Sequence, residues 1–501
     1  MSKTITAFAA LALASSALAA VEAPTMGWSS WNAYHVNISE DIICRAADML
    51  VELGLKDAGY TYCNIDDGFF GGRDPVTGKV IPHPKRFPNG MRVVSDYIHS
   101  KGLKAGIYSD GGSDTCGSWY DHDELGIGVG FYGHDELDAE YYFKELNYDF
   151  IKIDFCGGNP GSNKDHLKLD EKERYTAIRK AIDAVGRPDA RINVCRWNYP
   201  GTWVREIGSS WRMSRDINDK WKICRQIIEE NLYMSGYAAP GAYNDMDMLE
   251  VGRKYTAVED ETHFATWCMM SSPLLIGCDM NVLRTKRSET LKLLKNADLI
   301  AIDQDTAMPQ AHVIRREPHA KGSCYVLERF LEEPYGRKRA YELLNLDDEP
   351  HEIAFEMKGE VRQISGTTDA AVPAHGSKVF VVTLAEKPAE PTRYEAETAF
   401  ATKYQELSTP KNAGTPYAEE VDGASAGAVV RNVGGGKGGD IRFQKVWSEK
   451  GGAYTAKLVA LGGEAVETRE VTLTPGMNEI VFDSPKAYPA LDYLEVTPKE
   501  R

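Results

Sequence analysis

Residues 148–157 read Tyr-Asp-Phe-Ile-Lys-Ile-Asp-Phe-Cys-Gly and predict a short strand that ends in a carboxylate. The apolar residues on both sides of Lys152 are typical of a strand that is covered on both faces. Lys152 and Asp154 are two residues apart, so on a strand their side chains point to the same side. If that side faces a pocket, the Lys152 ammonium would favour the ionised form of the Asp154 carboxylate. A structural ion pair at the strand end is the alternative, and this stretch alone does not separate the two interpretations.

Similar apolar runs alternate with amphipathic helical runs from about residue 26 to residue 305. Eight strand–helix units in this length predict an α/β fold, a (β/α)8 TIM barrel, which typically takes about 250 residues. A doubly wound sheet would need a glycine-rich turn after the first strand, and Trp-Ser-Ser-Trp-Asn at 28–32 is not one. The predicted strands are 27–32, 60–65, 104–109, 150–153, 192–195, 211–214, 239–243 and 273–276. The predicted helices are 40–53, 91–101, 171–185, 220–234, 259–270 and 288–294.

The rest of the chain predicts four further segments. Residues 1–19 resemble a signal peptide, with Lys3, an apolar run and a small-x-small site at Ala17-Leu18-Ala19. The barrel then covers 20–310, and short alternating runs predict a small antiparallel β domain at 311–385. A Pro-rich linker at 386–393 precedes a β-sandwich at 394–501, which has the usual length of about 100 residues. The expected location is therefore periplasmic or secreted.

Composition narrows the range of partners. The 501 residues carry a net charge of −16, which argues against nucleic acid because phosphate binding needs a basic surface. No apolar run reaches the ~20 residues needed to span a bilayer, so membrane insertion is not expected. The nine cysteines form no C-x-x-C pair, which argues against a zinc ribbon, and their odd number leaves at least one free thiol.

Polar residues follow most of the predicted barrel strands. Because the active site of such a barrel lies at the carboxyl ends of its strands, these side chains should converge on one rim. Any one of them could be a helix cap or a solvated carboxylate, but crowded acidic groups need a ligand to offset their repulsion. Rim aromatics such as Trp31 and Trp197 favour a sugar over a metal ion. The strand-end groups are Trp31-Asn32, Asp66-Asp67, Tyr108-Ser109-Asp110, Asp154, Arg215-Asp216 and Asn244-Asp245-Met246-Asp247.

Hydrolysis of a glycosidic bond needs two carboxyl groups that face each other across that bond, one ionised and one protonated. Asp154 beside Lys152 is the candidate for the ionised group. Asp216 is the candidate for the protonated group, and we expect its neighbour Trp211 to shield it from water.

At these residues the sequence resembles glycoside hydrolase family 27, the α-galactosidases and α-N-acetylgalactosaminidases. The resemblance covers Met26 to about Leu384 and implies a retaining double displacement that needs no cofactor for catalysis. The substrate it implies is a carbohydrate with terminal α-galactose. The motifs that carry it are MGWSSWN at 26–32, NIDDG at 64–68, GIYSD at 106–110, GHD at 133–135, IKID at 151–154, WRMSRDI at 211–217, NDMDML at 244–249 and SPLLI at 272–276.

The resemblance also implies roles for individual residues. Asp154 corresponds to the nucleophile and Asp216 to the acid/base. Asp66 and Asp67 correspond to the pair that binds the hydroxyls at sugar carbons 4 and 6. The other implied substrate-binding residues are Trp31 under the sugar ring, Tyr108 in the wall, and Lys152, Arg212 and Asp247 on ring hydroxyls. Cys116 and Cys156 stand where the family has a disulfide.

The position that reads the substituent at sugar carbon 2 departs from the family. Arg196 stands where galactosidases have an acidic residue and N-acetylgalactosaminidases a small one. The same chemistry on α-N-acetylgalactosaminides or β-L-arabinopyranosides is therefore an alternative, although Asp66 argues against the arabinopyranosides, which suit a Glu there. From other classes, a non-catalytic carbohydrate-binding protein and a metal-dependent isomerase also remain open.

The last domain resembles carbohydrate-binding modules of families 6 and 35. The residues that carry this resemblance are Tyr394-Glu395-Ala396-Glu397 and Leu491-Asp492-Tyr493. The resemblance implies a structural calcium on Glu395, Glu397 and Asp492, because oxygen ligands suit that ion. A β-sandwich that binds neither calcium nor sugar is the alternative. The sequence does not predict the natural glycan or the oligomeric state.

Overall fold

The computed structural model describes residues 22–286, 288–405 and 410–499. The predicted signal peptide at 1–19 lies outside these residues. In the described part, eight parallel strands form one curled sheet with short connections to its helices. We label them β1 to β8 in chain order: Met26–Ser29, Tyr62–Asn64, Lys104–Asp110, Phe150–Asp154, Arg191–Val194, Ser210–Arg212, Tyr243–Asp245 and Leu274–Ile276.

The strands follow one another around the sheet in the order β8-β1-β2-β3-β4-β5-β6-β7. A parallel bridge between Leu249, beyond β7, and Ile276 in β8 closes the barrel. The register places Asp110 of β3 beside Asp154 of β4, so the two carboxylates end neighbouring strands at the same level. The predicted (β/α)8 fold is confirmed.

Helices surround this sheet, and their caps follow the sequence signals. Ser39 accepts a hydrogen bond from the backbone of Ile42, and Thr256 forms a capping box with Glu259. The helices of this unit are Trp31–Tyr34, Glu40–Glu52, Met91–Ser100, Cys116–Tyr120, Asp135–Glu140, Glu171–Ala184, Trp221–Asn231, Ala257–Met269, Met280–Thr285, Ser288–Leu294 and Ala297–Asp303. A π-helical turn at Tyr141–Glu145 and a hairpin of Phe70–Arg73 with Val80–Pro82 complete it.

Several expected boundaries are wrong. The first strand ends at Ser29, and Trp31 begins a short helix instead of ending the strand. The seventh strand runs from Tyr243 to Asp245 and not from 239 to 243, so Asn244 and Asp245 belong to the sheet. The reason is packing: Asn244 is buried between the sheet and the outer helices, where it donates to Gln310 and accepts from Trp211.

Close approach of neighbouring strands depends on glycine. A Cβ on Gly106 of β3 would lie 1.9 Å from Asn64 Oδ1 of β2, far inside van der Waals contact. The missing side chain therefore leaves room for the Asn64 amide inside the barrel.

The second unit is a five-stranded antiparallel sheet that packs against the barrel. Thr266 of the barrel donates a hydrogen bond to Glu342 of this sheet, and both side chains are buried. In spatial order its strands are His312–Pro318, Ser323–Leu331, Lys338–Asn345, Ser377–Thr383 and Glu360–Ser365.

The third unit has two antiparallel sheets that enclose a core containing Val430, Phe443, Leu458 and Phe482. One sheet contains Arg393–Glu395, Tyr417–Glu420, Ala428–Arg431, Gly452–Ala460, Ala465–Leu473 and Leu491–Pro498. The other contains Phe400–Ala401, Ile441–Ser448 and Gly476–Phe482. Short helices at Pro410–Ala413 and Gly435–Gly438 lie between the strands. None of the helices in the described ranges has the length and hydropathy of a transmembrane segment.

Candidate active site

A cavity of about 480 Å³ opens at the carboxyl ends of the barrel strands. Both predicted catalytic carboxylates border it, and so do groups from the ends of β1, β4, β6 and β7. Its wall is formed by Trp31, Asn32, His35, Cys116, Tyr120, Lys152, Asp154, Trp197, Arg212, Arg215, Asp216, Ile217, Asn218, Asp219, Asp247, Met248 and Arg253. A smaller cavity of about 20 Å³ shares Lys152, Arg212 and Asp247 with it and includes Asp66.

Asp154 is the last residue of β4, and its side chain is only 6% exposed. Its Oδ1 atom has no hydrogen-bond partner among the described residues, while Oδ2 lies 3.8 Å from Lys152 Nζ. Burial raises the pKa of Asp154, the Lys152 ammonium opposes this rise, and the nearby carboxylates of Asp66 and Asp216 add to it. Asp154 therefore lies at the cavity wall with its negative charge partly balanced by Lys152.

Lys152 connects two acidic residues. Its Nζ atom lies 3.1 Å from Asp66 Oδ2 and above the rings of Tyr108 and Trp31, at 5.3 and 6.0 Å from their centroids. Burial acts to lower the pKa of Lys152, but Asp154 and Asp66 outweigh it and hold the pKa well above the usual range. The side chain is therefore a cation at any physiological pH.

Arg212, at the end of β6, plays a similar part. Its Nη2 atom lies 2.7 Å from Asp247 Oδ2 and 3.0 Å from Asp216 Oδ1. The Asp216 side chain is 47% exposed, so one face of this carboxyl group contacts Arg212 and the other contacts solvent. The expected shielding by Trp211 is wrong, because that ring is fully buried and donates to Asn244.

Asp247 has an unusual backbone conformation. Its φ of +82° lies in the left-handed region, which costs free energy for a residue with a side chain. Its carboxylate accepts hydrogen bonds from the backbone of Ile217 and Met248 and pairs with Arg212. Burial raises the pKa of Asp247 and Arg212 opposes the rise. These contacts hold the strained residue at the cavity wall.

Asp67 and Tyr108 do not line either of these two cavities. The carboxylate of Asp67 accepts from the backbone of Gly68 at 2.7 Å and of Gly117 at 2.6 Å, and burial raises its pKa to about 7. The Tyr108 hydroxyl accepts from the backbone of Cys116 at 3.2 Å. Both side chains therefore hold the segment at Cys116–Gly117 beside the cavity.

Arg196 also lies outside the walls of these cavities. Its guanidinium pairs with Glu171 on the preceding helix, Glu171–Ala184, and lies 5.8 Å from the centroid of the Phe155 ring. Trp197, the next residue, lines the cavity instead. In this conformation the Arg196 guanidinium faces Glu171, and its contact with the substituent at sugar carbon 2 stays a prediction.

The structure contains the disulfide between Cys116 and Cys156, with a Cα–Cα distance of 5.2 Å. Cys116 begins the helix that ends at Tyr120, and Cys156 lies two residues beyond Asp154. The bond therefore ties the helix that carries the cavity residue Tyr120 to the end of β4.

Two features of the site were absent from our sequence interpretation. Glu250 is fully buried, accepts from Asn32 Nδ2 at 2.5 Å and pairs with Arg253 at 2.9 Å, so it positions two cavity residues. The Cys195 thiol is buried beside Arg212, 3.6 Å from its Nη1 atom. Cys195 follows β5 directly, so it could have been predicted from the rule that the carboxyl ends of barrel strands face the site.

The predicted calcium residues lie together in the third unit. Ser425 donates to Glu395 through its hydroxyl and to Asp492 through its backbone at 2.9 Å. Glu397 is 3% exposed, and neither of its carboxylate oxygens has a hydrogen-bond partner in the described ranges. Burial, and then the charges of Glu395 and Asp492, raise the pKa of Glu397 well above its usual range.

A barrel that brings two such carboxylates to one cavity at its strand ends defines the class: this is a glycoside hydrolase. A family profile described as Alpha galactosidase A matches residues 23–305, more than half of the sequence, and the chain belongs to this family. The predicted family is therefore confirmed for the barrel. The match does not extend to the third unit.

Relatives support this assignment. The chain is 35% identical to alpha-galactosidase 3 of Arabidopsis thaliana over 72% of this chain and 82% of that protein. It is 35% identical to alpha-galactosidase A of Cellvibrio japonicus over 71% of this chain and 91% of that protein. The crystal structure of alpha-galactosidase I from Mortierella vinacea superimposes with a TM-score of 0.62 at 27% identity, covering 74% and 99% of the two chains.

Proposed function

We propose that the protein removes terminal α-linked galactose from carbohydrates by a retaining double displacement. The observation that carries this proposal is that Asp154 and Asp216 line the same cavity, with Lys152 Nζ 3.8 Å from Asp154 Oδ2. This reaction requires a nucleophile and an acid/base that both reach the same glycosidic bond.

In the first step Asp154 attacks the anomeric carbon while Asp216 gives its proton to the leaving oxygen, so the glycosidic bond breaks and a glycosyl ester forms. In the second step Asp216 takes a proton from water, and that water attacks the anomeric carbon and releases Asp154. The half-exposed position of Asp216 suits both steps, because its carboxyl group must reach the leaving group and then water.

For sugar binding, we propose that Asp66 and Lys152 together bind the hydroxyls at carbons 4 and 6. Trp31 lies under the ring, and Arg212 with Asp247 contacts the remaining hydroxyls. Paired charges suit this task, because a carboxylate accepts and an ammonium or guanidinium donates. Asp67 and Tyr108 act one step away, by holding the segment at Cys116.

The role of Asp154 is tested with the substitution Asp154→Ala and 4-nitrophenyl α-galactoside. We expect kcat to fall by about 10⁴-fold or more, since the covalent step is lost. Azide, a small anion that fits the vacated space, should restore turnover and give the β-galactosyl azide. Asp165→Asn, at an exposed aspartate, is the control and should keep full activity. Full activity of Asp154→Ala would contradict the assignment.

The sugar preference is tested with three aryl glycosides: α-galactoside, α-N-acetylgalactosaminide and β-L-arabinopyranoside. We expect the α-galactoside to have the highest kcat/KM. Since Arg196 pairs with Glu171, Arg196→Ala should change the ranking little. A preference for the N-acetylated sugar would support the alternative substrate and leave the mechanism intact. Binding of galactose without turnover of any glycoside would support a non-catalytic protein.

For the third unit we propose a carbohydrate-binding module with a structural calcium on Glu395, Glu397 and Asp492. The unpartnered, buried carboxylate of Glu397 fits such a hard cation. The ligand oxygens of all three do not lie within 4.8 Å of one another in the described residues, but oxygens on opposite sides of a calcium ion are up to about 5 Å apart. Calcium should raise the thermal midpoint of the wild type and not that of Glu397→Gln; an equal rise in both would contradict the site.

We also propose that the protein works in the periplasm or outside the cell. The N-terminal pattern at 1–19 and the disulfide, which persists in oxidising compartments, support this location. N-terminal sequencing of protein recovered from the periplasm and medium tests it, and a start near Ala20 is expected.

A further inference from the structure

The five-stranded domain carries a cluster of two histidines and one cysteine. A ring nitrogen of His319, a ring nitrogen of His351 and Cys324 Sγ all lie within 4.8 Å of one another. His319 lies in the turn between the strands His312–Pro318 and Ser323–Leu331, and Cys324 is the second residue of the latter. His351 approaches from a separate segment, where it bridges to Val372.

The donor atoms of this cluster are held in place but make few contacts. The imidazole rings of His319 and His351 are stacked, with centroids 3.7 Å apart and an interplanar angle of 14°. His351 Nε2 is buried without a hydrogen-bond partner among the described residues. Cys324 is 1% exposed, and its Sγ lies 3.5 Å from Asn345 Oδ1.

We propose that His319, Cys324 and His351 bind a zinc ion. One thiolate and two imidazoles are a donor set that zinc prefers. Zinc–nitrogen distances of 2.0–2.1 Å and a zinc–sulfur distance of 2.3 Å place tetrahedral ligand atoms about 3.3–3.6 Å apart. The two rings are now nearly parallel, so the exposed His319 side chain must rotate out of the stack before both ring nitrogens point at one ion. Water completes the tetrahedron.

The surroundings also suit a metal ion. Asp347 Oδ1 lies 3.6 Å from His351 Nε2 and accepts from the backbone of Glu349, so its negative charge lies near the proposed ion and favours a cation there. The ion would tie the hairpin turn at His319 to the segment at His351.

The test uses the full-length protein after treatment with a chelator and dialysis. Cobalt(II) is added first, because a bound thiolate gives a sulfur-to-cobalt charge-transfer absorption, and zinc is then added as competitor. We expect saturation of this absorption at one equivalent of cobalt, its loss when zinc is added, and a higher thermal midpoint with zinc. Binding of cobalt to the carboxylates of the third unit would not produce the sulfur absorption.

Three variants complete the test. Cys324→Ser should abolish the absorption, and His319→Ala, at an exposed position, should weaken zinc binding at least tenfold with no loss of folding. His122→Asn, which changes an exposed histidine of another loop, is the matched control and should bind as the wild type does. Absence of the absorption in the folded wild type, or equal zinc affinity in the wild type and His319→Ala, would overturn the proposal.

Discussion

At the scale of single residues, the charge of Lys152 controls the state of the proposed nucleophile. Burial raises the pKa of Asp154, and the Lys152 ammonium 3.8 Å away acts against that rise. The proposed reaction needs the ionised carboxylate, so activity should be lost as the pH falls through the pKa of Asp154. Lys152 therefore widens the active range on its acid side.

The substitution Lys152→Met should move the acid limb of the kcat/KM profile to higher pH. Without the ammonium, the charged form of Asp154 is less favoured, and each 1.4 kcal/mol of lost attraction should lower the activity at acid pH about tenfold relative to neutral pH. The measurement is kcat/KM for the aryl galactoside across the acid range, with Lys168→Met at an exposed site as control. Superimposable profiles for Lys152→Met and the wild type, after scaling, would rule out this role.

The sequence predicts the composition of the site better than the direction of its side chains. Asp154, Asp216, Lys152 and Arg212 line the cavity as expected, because each lies at or near a strand end. Arg196 also follows a strand, but it turns to Glu171, 25 residues away in sequence. The direction of such a side chain depends on which charged partner the fold brings near. Strand periodicity does not reveal that partner.

At the scale of secondary-structure elements, the helix Cys116–Tyr120 depends on contacts outside itself. Five residues are too few for a stable isolated helix. The disulfide to Cys156 and the hydrogen bond from the backbone of Gly117 to Asp67 fix its first turn. Tyr120 at its other end lines the cavity although its side chain is largely exposed.

Replacing both Cys116 and Cys156 by serine should therefore weaken stability and substrate binding together. The bond joins residues 40 apart in sequence, and loss of such a cross-link destabilises by roughly 3–4 kcal/mol in the chain-entropy model. KM should rise more than kcat falls, because Tyr120 loses its fixed position while Asp154 stays on β4. Thermal unfolding and steady-state kinetics measure these effects, with Cys44→Ser, at a free cysteine, as control. An unchanged KM would show that the helix keeps its place without the bond.

The secondary-structure elements were predicted well where apolar residues recur with a clear helical or strand period. The barrel strands and the helix Glu40–Glu52 have a clear pattern, and their positions agree with the expectation within a few residues. The helix Asp135–Glu140 was missed because its six residues contain only two apolar ones, Leu137 and Ala139. Its position depends on contacts such as the ion pair of Asp138 with Arg73, which a local period does not reveal.

At the scale of the whole molecule, the third unit is packed against the barrel and not merely tethered to it. The ring of Tyr237 in the barrel lies 4.6 Å from that of Tyr404 and 5.4 Å from that of Phe400. Lys445 donates to the backbone of Ser235 at 2.9 Å, and burial lowers its pKa to about 8. Tyr199, two residues after the cavity residue Trp197, also contacts Tyr404 through its ring. The third unit thus supports a loop of the active site.

The glycine at position 236 gives a specific test of this support. A Cβ there would lie 2.3 Å from the backbone oxygen of Ala399, so Gly236→Ala forces the two units apart without removing any side chain. We expect a lower thermal midpoint and a higher KM, because the segment that carries Trp197 and Tyr199 loses its support. Thermal unfolding and kinetics on the full-length chain measure both.

Gly161→Ala is the matched control, since a Cβ at that position would have no neighbour within 4 Å. A truncation that ends at residue 385 should reproduce the rise in KM, because it exposes the same aromatic rings of Tyr199 and Tyr237. If the truncated protein and Gly236→Ala both keep the wild-type KM, the contact serves only to attach the third unit. The dependence of KM on this interface therefore distinguishes a module that supports the catalytic barrel from one that only binds beside it.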